Sequence, residues 1–229
     1  MRASDPELLV REYSTSERLE RRRTNVTAWM RGREAWDVAL AAVARVCPHR
    51  VLDAGCGDGL FASLVAAPDV IGVDSSSAMV ERARSRGVDA RLGDIHELPF
   101  EDASFDVVVC NWTLYHLAHL DRGIAELARV ARPGGRFVGV YNRVGHMREL
   151  WSVVRPELDP SDDYEEPLRR SFAHVETIDT EAYSMWDSRD DLQVYLDAFV
   201  ELLGTMRAPE EPYPFKVTRL NRVYVAEKA

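Results

Sequence analysis

At 229 residues, 46% of them hydrophobic and 29% charged, the chain is long enough for one α/β domain with a sizeable core and short for two, and its longest apolar run falls far below a membrane span. Acids outnumber bases to a formal net charge of −9, which argues against a broad nucleic-acid footprint, where Lys and Arg must neutralise phosphates. Cys47, Cys56 and Cys110 lack metal-ligand spacing and read as reduced thiols of a cytoplasmic protein, and the polar N-terminus carries no apolar signal region.

In chain order, residues 1–48 read as two helices. Pro6 to Tyr13 begins one, continued or restarted over Ser16–Arg23 and Val26–Met30; Glu34–Cys47 is the other, with Trp36, Leu40, Val43 and Ala44 on one stripe and Pro48 as its stop. The arginines near Arg18 and Arg22 fit a solvated face, Glu17 and Arg21 forming an i, i+4 pair. Next, Val51-Leu52-Asp53-Ala54-Gly55-Cys56-Gly57-Asp58-Gly59 describes a buried strand running into a glycine turn, with a helix near 58–67 behind it. Glycines let backbone approach a ligand closely and a helix start offers N–H groups, so a nucleotide-type cofactor is the expected guest. Asp74 ends the following strand, 21 positions after Asp53, where an acid accepts from ribose hydroxyls or caps a helix. The glycines run G-x-G-x-G, not the G-x-G-x-x-G that seats a dinucleotide pyrophosphate.

Strands near 50–54, 69–74, 88–92, 105–111 and 135–141 alternate with helices near 58–67, 76–87, 121–132 and 144–155, the pattern of a parallel sheet with right-handed crossovers. Glu157–Arg170 reads as a loop or short helix, His174–Trp186 as a long strand, Ser188–Gly204 as a helix and Lys216–Ala226 as a closing strand.

Five motifs in register resemble those of the class I S-adenosylmethionine-dependent methyltransferases, most like the small-molecule subgroup that includes ubiquinone and menaquinone biosynthesis enzymes. They are Asp53 to Gly59, Val73-Asp74-Ser75-Ser76 with Met79, Gly93-Asp94-Ile95 followed by Leu98-Pro99-Phe100, Ser104 to Val109, and Arg129 to Gly135, all within residues 50–142. The resemblance implies a Rossmann-like α/β fold with a seven-stranded sheet of order 3-2-1-4-5-7-6, the last strand antiparallel. It implies one domain over 1–229: a helical lid over 1–48, a cofactor core over 49–142, and substrate-side helices and closing strands over 143–229. S-adenosyl-L-methionine is the cofactor it implies. The residues implied to hold it are Asp53, Gly55, Cys56, Gly57 and Gly59 in the first motif, Asp74, Ser75 and Met79 at the ribose, Gly93, Asp94 and Ile95 at the adenine, and Asn111 with Trp112.

The acceptor pocket is expected beyond the carboxyl ends of strands 1, 4 and 5, the crevice that open α/β sheets use. Tyr115, His116, Tyr141 and Asn142 stand there as acceptor contacts, with Trp112 and Tyr115 as walls, and lid residues Arg18 and Arg22 could meet an acidic acceptor. His116 is the first candidate base, ahead of His119 and His146, because an imidazole pKa of about 6.5 suits the task. His116-Leu117 equally matches a family position that lines the cofactor. Tyr13 is the second catalytic candidate, its hydroxyl brought near the transferring methyl or the cofactor carboxylate by lid closure. Asn111-Trp112-Thr113 lacks the Pro-Pro of enzymes that methylate amide nitrogens in nucleic acids and proteins, and no acid stands where metal-dependent catechol-type relatives need one. No metal is expected, and Cys110 within an apolar strand is an inert thiol. The reaction expected is in-line methyl transfer to O or N of a small, partly apolar or aromatic metabolite, with no nucleic acid or membrane as partner. An RNA methyltransferase and a non-catalytic S-adenosylmethionine-binding regulator are the alternatives.

Overall fold

Phe105, Val107, Val108 and Val109 point alternately to two faces and are all buried, so their strand must lie inside a sheet covered on both sides. A computed structural model describes residues 13, 31–32, 34–158, 163–210 and 212–229. Its strands are β1 (Arg31–Gly32), β2 (Arg50–Ala54), β3 (Asp69–Asp74), β4 (Asp89–Leu92), β5 (Phe105–Val109), β6 (Ala131–Asn142), β7 (His174–Trp186) and β8 (Phe215–Glu227). They form one sheet in the order β1-β7-β8-β6-β5-β2-β3-β4. β2 to β6 run parallel, while β8 lies antiparallel between β6 and β7. Leaving out β1, this is the 3-2-1-4-5-7-6 sheet that the motifs implied. β1 is an addition, two residues paired antiparallel with Tyr183 and Ala182, too short to leave a periodicity in the sequence.

The helices are α1 (Ala35–Ala44), α2 (Leu60–Leu64), α3 (Ser77–Ser85), α4 (Leu120–Val130), α5 (Arg148–Val154), α6 (Glu165–Arg169), α7 (Arg189–Asp197) and α8 (Val200–Leu203). α1 buries Ala35, Val38, Ala39, Ala42 and Val43, a helical i, i+3, i+4, i+7 stripe, against Val51, Val107, Val109 and Val140. That stripe lies beside the expected one: Val43 is shared, Trp36 and Leu40 flank it half-buried, and Ala44 is exposed. On the opposite face Ile124 and Leu127 of α4 and Leu168 of α6 pack on Leu52, Val108 and Phe137. Asp106, a carboxylate within apolar β5, is satisfied by the backbone N–H groups of His49 and Arg50, both at 2.7 Å, and by Arg132. Beyond the sheet's central strands, α5 and α7 form a separate core, with Leu150, Trp151, Leu192 and Leu196 around Trp186 and Val217. The single helix expected over 188–204 is broken in two: α7 ends at Asp197 and α8 stops at Gly204, whose φ is +74°. Among the described residues, no helix is long and apolar enough to cross a membrane.

Parallel register brings Ala54, Asp74, the residues after Val109, and Asn142 to one end of the sheet. The motifs at the ends of β2, β3 and β4 meet in the crevice there, whereas Arg129–Gly135 lies at the opposite end of the sheet, where Ala131 pairs with Phe105.

Candidate functional site

The chain leaves β2 at Ala54 and turns through Gly55 and Gly59, both left-handed, with φ of +76° and +75°. A Cβ on Gly55 would lie 2.5 Å from the Thr113 side chain, and one on Gly59 2.7 Å from Ala83, so the turn is pressed against both the segment after β5 and helix α3. Five of its N–H groups are committed internally. Gly55 and Cys56 donate to the Val73 carbonyl, Gly57 to Asp74 Oδ2 at 2.8 Å, Gly59 to the Cys56 carbonyl, and Leu60 to Asp58 Oδ1. The helix behind it has five residues instead of the ten expected over 58–67. Those donors are therefore not free for an anionic group, contrary to the expectation from the glycines.

What faces the turn is negative. Asp53 and Asp58 are each 2% exposed. Asp58 pairs with Arg86 at 2.8 Å. Asp53 accepts from the Ala62 N–H, and its Oδ2 has no partner among the described residues; burial and then Asp74 push its pKa up to about 7. Asp74 accepts from the N–H groups of Gly57, Ser75 and Ser76, and burial still holds its pKa above the usual carboxylate value. A buried carboxylate with an open oxygen beside a second one is an arrangement that a positive ligand would neutralise.

Tyr13 closes the crevice from the N-terminal side. Ser76 Oγ donates to its carbonyl at 2.7 Å, its hydroxyl lies 2.9 Å from His116 Nε2, and its ring meets the His116 ring edge-on at 5.5 Å. Burial, then Tyr115 and Asp74, raise its pKa well above that of a free phenol, so the hydroxyl keeps its proton. It thus bridges the tip of β3 and the 3-10 turn Leu114–His116 after β5. The other residues of the expected lid, Arg18 and Arg22 among them, lie outside the described residues.

Some candidates are displaced. Tyr141 is wholly buried in the core, donating to the Cys110 carbonyl and packed on Tyr164 and Tyr224, and it makes no pocket wall. Met79 is buried at the start of α3, and Cys56 packs its sulfur where a Cβ on Gly72 would stand. Burial and the neighbouring Asp53 and Asp74 raise the Cys56 thiol, and burial lifts Cys110 to about 12, so neither is a thiolate. Trp112, at φ +49°, turns its ring towards Trp36 on the α1 face and donates Nε1–H to Asn142 Oδ1 at 3.1 Å. Asn111 Oδ1 accepts from the Val140 N–H, while its buried Nδ2 has no partner among the described residues. Asp94 is bound to its own turn through the His96 N–H and Nδ1, with two thirds of its side chain exposed beside Gly93; the Ile95 side chain is core.

Next to Tyr13 and His116 opens a cleft. Tyr115 and Asn142 line it as expected. Its far wall comes from Met147 and Trp151 of the α5 region and from Tyr195, Phe199, Leu202 and Leu203, none of which was singled out in the sequence. The last four stand at i, i+4, i+7 and i+8, a spacing that also describes core and so could not mark a pocket.

A family model described as a methyltransferase domain matches residues 52–139. A probable S-adenosylmethionine-dependent methyltransferase of Mycolicibacterium smegmatis is 43% identical over 122 residues, 51% of this chain and 46% of that protein. The demethylmenaquinone methyltransferase of Symbiobacterium thermophilum is 36% identical over 119 residues, 46% of this chain and 47% of its own. Each match spans about half the length of the curated relative. The N-methyltransferase NodS of Bradyrhizobium japonicum, solved with S-adenosyl-L-homocysteine, shares the fold: TM-score 0.56 at 16% identity, over 84% of this chain and 85% of its own.

Proposed function

We propose that this chain, a member of the class I S-adenosylmethionine-dependent methyltransferases, binds its cofactor over the acidic glycine turn and methylates O or N of a small, partly apolar or aromatic acceptor held in the adjoining cleft. The observation that carries this is the electrostatics of the turn. Five of its N–H groups are spent internally and Asp53 Oδ2 is buried without a partner among the described residues, which suits a ligand bearing a sulfonium and an ammonium and repels a pyrophosphate. Bound there, S-adenosylmethionine supplies a methyl already activated by its positive sulfur.

The protein's own task is then to bind, orient and exclude water. Asp74 keeps lone pairs beyond its backbone N–H partners for ribose hydroxyls, the Asp53 carboxylate meets positive charge, and Asp94 stands on the adenine side. Tyr13 covers the crevice and holds His116 by a hydrogen bond. Positioning of this kind can supply roughly 7 to 11 kcal/mol of a barrier. On this reading His116, which lines the cleft, takes the acceptor proton, a role worth about 10² to 10⁴ in rate.

Calorimetry tests the assignment. S-adenosylhomocysteine should bind at micromolar strength, and Asp74→Ala should lose roughly 1.5 to 3 kcal/mol, the scale of a hydrogen bond to a charged group. Unchanged affinity in the variant, or a preference for NAD, would overturn it.

A further inference from the structure

Besides His116, the cleft is lined by a second imidazole. His146 sits in the turn after β6, between Gly145 at φ +85° and Met147 at φ +52°. The turn is pinned by His146 N–H on the Arg143 carbonyl at 2.9 Å and Met147 N–H on the Thr218 carbonyl at 2.8 Å. The ring is fixed as well, because Nδ1 lies 2.9 Å from the Leu220 carbonyl, which can only accept. With the proton on Nδ1, the lone pair of the neutral ring is on Nε2. Burial, then the nearby Arg219, press the pKa down to about 4, so the ring stays neutral at physiological pH. Glu149 is the acid that opposes this shift, and it is itself engaged by Thr218.

The rest of the lining has a shared character. Among the described residues no Lys, Arg, Asp or Glu lines the cleft, whose walls are Trp151, Phe199 and leucines. A carboxylate or an ammonium entering it would lose hydration and find no counter-charge among the described residues, whereas a neutral aromatic body would lose little.

We infer that His146 is a specificity-determining residue: its Nε2 accepts a hydrogen bond from an uncharged aromatic acceptor bearing an O–H or N–H proton, selecting it over alkylated and ionised analogues. This rests on the reading of the cleft as the acceptor site and narrows the acceptor to neutral, proton-bearing aromatics.

The probes are 2-naphthol, its methyl ether 2-methoxynaphthalene, and 2-naphthoate, each titrated at pH 7 into protein saturated with S-adenosylhomocysteine. Wild type should bind the naphthol at least about tenfold more tightly than either analogue, since a site built around a donor rejects a ligand lacking it. His146→Asn retains an amide N–H for the Leu220 carbonyl but removes the Nε2 acceptor. In it the preference over the ether should fall to about twofold or less, with the affinity for S-adenosylhomocysteine unchanged. Equal binding of naphthol and ether by wild type, or a preference that survives in His146→Asn, overturns the inference. Should the variant not fold, nitrogen NMR of the wild-type imidazoles decides: the His146 Nε2 resonance must move with 2-naphthol and not with the ether. Failure of wild type to bind S-adenosylhomocysteine counts against the cofactor reading instead, and the naphthol comparison without the nucleoside still decides the role of His146.

Discussion

Asp53 is the residue through which pH should act on this protein. Its folded-state pKa of about 7 lies above the ordinary carboxylate value of 3.8, so between those limits the folded protein holds a proton that the unfolded chain has released. Stability from this group is therefore complete at low pH and lost as pH rises towards 7, and Asp74, shifted in the same direction, adds to the slope. Denaturant titrations at pH 5 and pH 7.5 should show the cofactor-free protein less stable at the higher pH, with a smaller difference in Asp53→Asn. A cationic ligand beside Asp53 favours the carboxylate and should expel that proton. Calorimetry in buffers of different ionisation enthalpy should register release of up to one proton on cofactor binding near pH 6; proton uptake would mean that the guest is not positive there.

At the scale of elements, the site depends on how closely the turn after β2 meets the segment after β5. Gly55→Ala would force a left-handed φ on a side-chain-bearing residue and drive its Cβ into Thr113, a cost of roughly 1 to 3 kcal/mol for the backbone alone. Adding Thr113→Ala should relieve the clash and recover part of the loss, read as the denaturation midpoint; full additivity of the two changes would show that they do not touch. The N-terminal segment makes its own contribution through Tyr13. Tyr13→Ala removes the ring over the crevice and should speed S-adenosylhomocysteine dissociation by about tenfold, whereas Tyr13→Phe, which loses only the contact with His116, should change it by about threefold or less. Deletion of residues 1–30 should reproduce the alanine effect in a folded protein, and full turnover after deletion would show that the segment is only packing.

For the molecule as a whole, the sheet delivers Asn111 to the end of β5, where a metal-dependent relative would carry an acid, and Asn111 Oδ1 is already spent on the Val140 N–H. EDTA should therefore leave turnover unaltered; a strict requirement for Mg²⁺ would mean that the ends of β5 and β6 have another function. Raising ionic strength should change acceptor KM little, since no charged side chain among the described residues lines the cleft.

The alternation of strands and helices, the glycine turn and the 21-residue spacing from Asp53 to Asp74 were all legible in the sequence, because each is a local property: a period of two, a period near 3.6, or a backbone position that tolerates no Cβ. The side chains around the acceptor were legible only in part. Tyr13 and His116 were both candidates, but their hydrogen bond spans 103 positions and no local pattern pairs them. Tyr141 and Tyr115 looked alike in sequence, but Tyr141 on β6 is buried in the core while Tyr115, in the 3-10 turn after β5, lines the cleft. The break between α7 and α8 sets Phe199, Leu202 and Leu203 on the wall, although their spacing reads equally as core. Which apolar residue meets ligand and which meets protein is settled by packing among elements distant in the chain, and that information exists only once the tertiary structure has formed.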